Sequence, residues 1–170
     1  KEFPRTFWTL MGATLIDQIG RFLLLPFFAL YITDHFGVSM TQVGQLFLIW
    51  AVFGTIGGFV GGALADRFGR KSMIIFGLIF SAGTMLFIGS AQDVRLVFGL
   101  AALVGFLSDI GGPAQAAMVA DILPEHRRTE GFGIWRVVVN IAAVIGPATG
   151  ALLVIQFKDL PSPYFSLFVT

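Results

Sequence analysis

The chain has 170 residues, 56% of them hydrophobic and 12% charged, with 19 Phe, 21 Gly and a mean hydropathy of +0.85. Soluble domains carry about 25% charged residues, so this composition excludes an ordinary soluble domain and predicts a polytopic membrane protein. A net charge of +1 offers no basic surface for nucleic acid, and the absence of cysteine excludes a disulfide framework and thiol chemistry.

In chain order, a basic lead-in over residues 1–6 precedes a first predicted helix at about 7–32, interrupted by Asp17, Gln18 and Arg21. Residues 34–37 read as a polar turn, and a second helix follows over 41–65. A short charged segment leads to a third helix at 72–91, and residues 92–95 form the next turn. The fourth helix covers 96–120 with Asp109 near its middle, and residues 121–130 are a second charged loop. A fifth helix at 131–157 carries Arg136 in its first turns, residues 158–163 form a Pro-containing turn, and 164–170 open a sixth helix. Each of the five is about the ~20 residues needed to cross a bilayer, or longer. The first is too long for a cleavable signal peptide and lacks a small-residue cleavage site. The chain begins at Lys1, so residues are expected to precede it. His35 and His126 both fall in predicted loops, so no metal site is expected.

Seven basic residues (Lys1, Arg5, Arg67, Arg70, Lys71, Arg127, Arg128) fall on one side of this arrangement, against Arg95 and Lys158 on the other. That bias predicts a cytoplasmic N-terminus in a multi-pass protein of the cell (plasma or inner) membrane.

The segment Gly62-Ala-Leu-Ala-Asp-Arg-Phe-Gly-Arg-Lys71 lies between two runs, Phe36 to Ala65 and Ser72 to Gln92, that contain no charged residue. Its spacing, G-x-L-A-D-R-x-G-R-K, resembles motif A of the major facilitator superfamily, which joins that family's second and third helices. In the fifth helix, Gly133, Gly146, Pro147 and Gly150 resemble the family's antiporter motif, motif C, with Ala142 and Ala151 standing where the motif has glycine.

The resemblance implies an all-α membrane fold, namely the N-terminal six-helix half of a twelve-helix transporter, here five helices and the start of a sixth. The C-terminal half lies outside this sequence and is the implied partner, together with the lipid bilayer and a small-molecule substrate. It further implies a latch that stabilises the outward-open state. In it Gly62, Leu64, Asp66, Arg67, Gly69, Arg70 and Lys71 act with Asp121, Arg70 pairing with Asp121 and Asp66 meeting a helix N-terminus of the other half. Arg136 can join that cluster by snorkelling. The family's inverted three-plus-three repeat is hinted at by the polar interruptions in helices 1 and 4.

Asp17 and Arg21 are four residues apart on one helix face and can pair. Ionisable groups in apolar spans cost at least ~2.5–3.5 kcal/mol to insert, so they usually face a partner or a cavity. The resemblance places helices 1 and 4 around one central cavity, which would collect Asp17, Arg21 and Asp109. One cation cannot neutralise two carboxylates, and Asp109, farther from Arg21 in sequence, is the expected proton-binding group. A salt bridge holding helices 1 and 4 together is the alternative. Gln18, Gln115 and Asn140 can bind substrate or join helices. Gly54, Gly58 and Gly62 form a candidate packing stripe on the second helix. An arginine common in the fourth helix of the family's drug exporters is missing ahead of Gly105.

The expected function is proton-coupled export of lipophilic or cationic small molecules by alternating access, with proton-coupled import of a sugar or other metabolite as the alternative. No cofactor is expected, the proton gradient being the energy source. With no nucleophile–base or metal constellation in the sequence, an enzyme is not expected.

Overall fold

The computed structural model describes residues 3–156, and the predicted turn at 158–163 and the sixth-helix start at 164–170 lie outside them. The elements are α1 (Arg5–Phe36), α2 (Met40–Phe68), α3 (Arg70–Ser90), α4 (Val94–Ile110), α5 (Gly112–Ile122), a 3₁₀ turn (Glu125–Arg127) and α6 (Arg128–Gln156). No strand occurs among the described residues. Five helical stretches are long and apolar enough to cross a membrane, α4 and α5 together forming the fourth.

The ends of these helices follow from local chemistry. Residues 34–36, read from sequence as a turn, continue α1, which stops only at Gly37, where φ is +63° and the amide donates to the Thr33 carbonyl at 3.0 Å. Ser39 caps α2 through a capping box: its hydroxyl accepts from the Gln42 amide, and the Gln42 side chain accepts from the Ser39 amide at 3.0 Å. Asp93 caps α4 by accepting from the Arg95 amide at 2.8 Å. The charged connection between α2 and α3 shrinks to one residue, Gly69, whose φ of +89° favours glycine.

The fourth span differs from the single helix expected. It breaks at Gly111, the C-cap of α4, and restarts at Gly112. Pro113 has no amide hydrogen to give the Asp109 carbonyl and cannot continue the α4 ladder, whereas it is well tolerated in the first turn of α5. Asp109 is therefore at the end of α4, not in mid-helix.

The described residues divide into two compact units, residues 32–118 and residues 3–31 with 119–156. In the first, α2 and α4 meet through glycines. A Cβ at Gly57 would strike the Phe106 backbone, one at Gly61 the Ile110 backbone, and one at Gly105 the Trp50 backbone. Such approach substitutes packing for the hydrophobic drive that lipid does not supply. The contacting α2 glycines are thus Gly54, Gly57 and Gly61, a correction to the 54/58/62 stripe. At 100° per residue, positions 54, 57 and 61 fall within an arc of about 60°, against about 80° for 54, 58 and 62. Against α3, the Ser81 and Ser108 hydroxyls are hydrogen-bonded at 2.8 Å, and Ala65, Met73, Ile110 and Ala114 form a buried cluster.

In the second unit, Phe7 and Met11 of α1 pack with Val119 and Leu123. Farther along, Gly146 and Gly150 of α6 lie against Ile19, Phe22, Leu23 and Phe27 of α1. Much apolar surface remains outside both cores: Phe59 is 78% exposed, Ile16 75% and Val144 73%. Exposure on that scale suits a hydrocarbon surround rather than water.

Candidate functional site

Asp17 and Arg21 form an ion pair along α1, with Asp17 Oδ2 3.7 Å from Arg21 Nε. The pair is graded in exposure, the Asp17 side chain keeping 19% and Arg21 44%. Since Ile19, Phe22 and Leu23 meet α6, the 100° step puts Asp17 and Arg21 on the face of α1 turned away from it. Gln18 lies between these faces, partly buried. Asn140 is exposed on α6, about 120° from the direction of Gly146.

Asp109 belongs to the other unit. Its half-buried carboxylate occupies the space that a Cβ on Gly54 would need, with the Gly105 carbonyl 3.5 Å from that same point. The carboxylate is thereby lodged against α2 at the level where α4 ends. Gln115 is in the first turns of α5, its amide bonded to the Gly111 carbonyl at 3.0 Å. Sequence reading singled out Asp109 and named Gly54 only as part of a packing stripe, not as the residue that makes room for the carboxylate.

The motif-A residues are almost wholly helical. Gly62 and Leu64 lie in α2, and Asp66 and Arg67 in its last turn; Arg70 and Lys71 open α3 across Gly69. Leu64 packs on the Ala65–Met73–Ile110–Ala114 cluster. Arg70 Nη1 donates to the Ala117 carbonyl at 2.6 Å, tying the start of α3 to the last turns of α5. Asp121, the acceptor implied by resemblance, is one turn beyond Ala117 and exposed. Arg128 Nε donates to the Ala120 carbonyl at 3.0 Å, and Arg127 pairs with Glu130 at 3.0 Å while lying 4.0 Å over the Phe3 ring. Cations at a helix C-terminus meet the negative end of its dipole.

Of the antiporter-motif residues, Gly146 and Gly150 are contact points with α1, since a Cβ on Gly146 would come within 2.8 Å of the Leu23 amide nitrogen. Gly133 has open space around it, and Pro147 sits within α6 without ending it. Ala142, which replaces a motif glycine, is fully buried. The sequence reading missed Trp135, whose indole nitrogen is buried without a hydrogen-bond partner among the described residues.

Comparison with known proteins agrees with this helical frame. The chain is 32% identical over 163 residues to a Na(+), Li(+), K(+)/H(+) antiporter of Planococcus maritimus, covering 93% of this chain and 38% of that protein. It is 29% identical over 161 residues to the multidrug resistance protein MdtH of Klebsiella pneumoniae, covering 94% and 40%. To the quinolone resistance protein NorA of Staphylococcus aureus it is 30% identical over 138 residues, covering 79% and 34%. The chain thus spans about two fifths of the length of these curated relatives. The Major Facilitator Superfamily model matches residues 10–169, nearly the whole sequence. With its five apolar helices and motif A, the chain is a multi-pass membrane protein that belongs to the Major Facilitator Superfamily.

Proposed function

We propose that this chain is the N-terminal half of a proton-coupled antiporter that exports cationic or lipophilic small molecules from the cytoplasm. The observation that carries the reading is Asp109, a carboxylate inside an apolar span where the helix breaks, lodged against the Gly54 backbone. Such a group is costly to insert in an apolar span, needs a counterpart there and usually marks function. A proton in one state and a cationic cargo in the other meet that need, and the exchange of the two is antiport. The Asp17–Arg21 pair is a second charged position, its carboxylate already partnered along α1. The motif-A residues and Asp121 act as the latch, with Arg70 anchored on α5. Names of similar proteins support exchange of cations for protons and export of drugs.

In this scheme the N-terminus is cytoplasmic, the protein resides in the cell membrane, and the C-terminal half supplies the other wall of the pathway. Proton binding at Asp109 releases cargo outward, and deprotonation toward the cytoplasm restores the cation site. The test uses cells carrying the complete transporter and loaded with ethidium. Efflux is expected to stop on adding a protonophore and to be absent in Asp109→Asn. Efflux that persists in Asp109→Asn removes that carboxylate from the mechanism.

The relative named for Na(+), Li(+) and K(+) gives weight to a second reading, in which the cargo is a monovalent metal ion. Salt tolerance of the same cells in NaCl and LiCl separates the two.

A further inference from the structure

The seam that lodges Asp109 continues past it into a pair of aromatic rings. Its contacts rise together in both helices, from Trp50 with Gly105, through Gly54 with Asp109, to Gly61 with Ile110, so α2 and α4 run parallel. Phe47 and Trp50 precede Gly54 by seven and four residues. At 100° per residue they lie about 20° and 40° from it around α2, and about 10 and 6 Å from it along the axis. They therefore share the α4-facing side with the glycine that holds the carboxylate.

Long side chains of a helix lean toward its N-terminus, so both rings follow the seam in that direction. Their centroids are 6.3 Å apart and their planes are inclined at only 24°, and both residues are half-buried. Trp50 is also out of its usual place. Tryptophan in membrane proteins gathers at the water interfaces, whereas Trp50 is ten residues, about 15 Å, inside the first residue of α2 and within an apolar span.

A carboxylate and two nearly parallel ring faces along one helix side complement one kind of molecule. The carboxylate takes a positive charge. The rings take a flat apolar body by stacking, and the indole face attracts charge delocalised over such a body. An alkali cation has no surface to offer the rings, and a flexible aliphatic cation has no plane to stack.

We propose that Phe47 and Trp50 are specificity residues of the cargo site, stacking on the planar ring system of an aromatic organic cation whose charge is held by Asp109. The inference rests on the reading of Asp109 as the cargo carboxylate, and it narrows the substrate class from lipophilic cations in general to those with a flat aromatic body.

The test is equilibrium binding to the complete transporter in phosphatidylcholine nanodiscs. Ethidium is read by its own fluorescence, and hexyltrimethylammonium, a cation without rings, by competition against it. The wild type is expected to prefer ethidium by at least about tenfold, because stacking and cation–π attraction add to the ion pair. Trp50→Leu keeps apolar bulk and removes the ring face, and that preference should fall about tenfold. Phe47→Leu should lower it about threefold, and gives the same readout should Trp50→Leu not fold. Trp50→Phe restores a ring and should keep the preference within about threefold of the wild type. Affinities for both cations that move in step in the leucine variants, or a preference left at its wild-type value, assign these rings to packing and overturn the proposal. Asp109→Asn tests the underlying reading separately and should weaken both cations. If it does so while the leucine variants keep the wild-type preference, Asp109 stands and only the aromatic site falls. If it weakens neither cation, or if ethidium does not bind the wild type, both fall.

Discussion

Asp109 and Gly54 illustrate how one side chain's chemistry depends on another's absence. The carboxylate stands where any residue larger than glycine at position 54 would put its Cβ. Gly54→Ala should therefore turn the carboxylate away without deforming the backbone, because the obstructed atom ends a flexible side chain. Thermal unfolding of this variant should stay within about 1 kcal/mol of the wild type, a value ordinary for conservative changes, while its ethidium efflux falls severalfold. Efflux at wild-type rates would show that the carboxylate's position against α2 is irrelevant to transport. Arg70 makes a comparable point at the other end of α5, where its guanidinium is held by the Ala117 carbonyl. Replacing it with Ala should shift the balance between outward- and inward-facing forms, read as altered accessibility of single cysteines introduced on the two sides of the membrane. Unaltered accessibility would reduce the contact to a surface tether.

At the scale of helices, the glycine seam between α2 and α4 separates packing from composition. Gly57→Ala drives a Cβ into the Phe106 backbone, whereas Gly58→Ala meets only the Asp109 carbonyl at 3.9 Å, an ordinary contact. Overpacking of this kind costs about 1–3 kcal/mol, so detergent-solubilised Gly57→Ala should unfold at clearly lower temperature than Gly58→Ala. Equal melting temperatures would contradict the seam. The existence of the five spans was legible in the hydropathy, because uninterrupted apolar runs near 20 residues have few alternatives. Which glycines touch was not legible, because lipid and protein core are both apolar and leave no amphipathic stripe to fix a helix's rotation. The break at Gly111 had a visible sign in Gly112-Pro113, but proline is tolerated within membrane helices, as Pro26 and Pro147 show within α1 and α6. Motif A was recognised by spacing, yet its reduction to one non-helical residue required the positive φ of Gly69 to be seen.

At the scale of the molecule, two compact units each have a seam of close helix packing and each carry one of the intramembrane carboxylates. The chain spans about two fifths of the length of its curated relatives, so the proposed transport is a property to be tested on the complete transporter. Exchange of a proton for a cationic cargo is the central claim, and it has a direct signature in everted membrane vesicles bearing the complete transporter. Respiration acidifies the lumen and quenches acridine orange, and addition of ethidium, NaCl or LiCl then offers cargo on the cytoplasmic face. The account predicts prompt dequenching as protons leave in exchange, with no response from Asp109→Asn vesicles that acidify normally. A proton gradient that none of these cargoes disturbs in wild-type vesicles would contradict it.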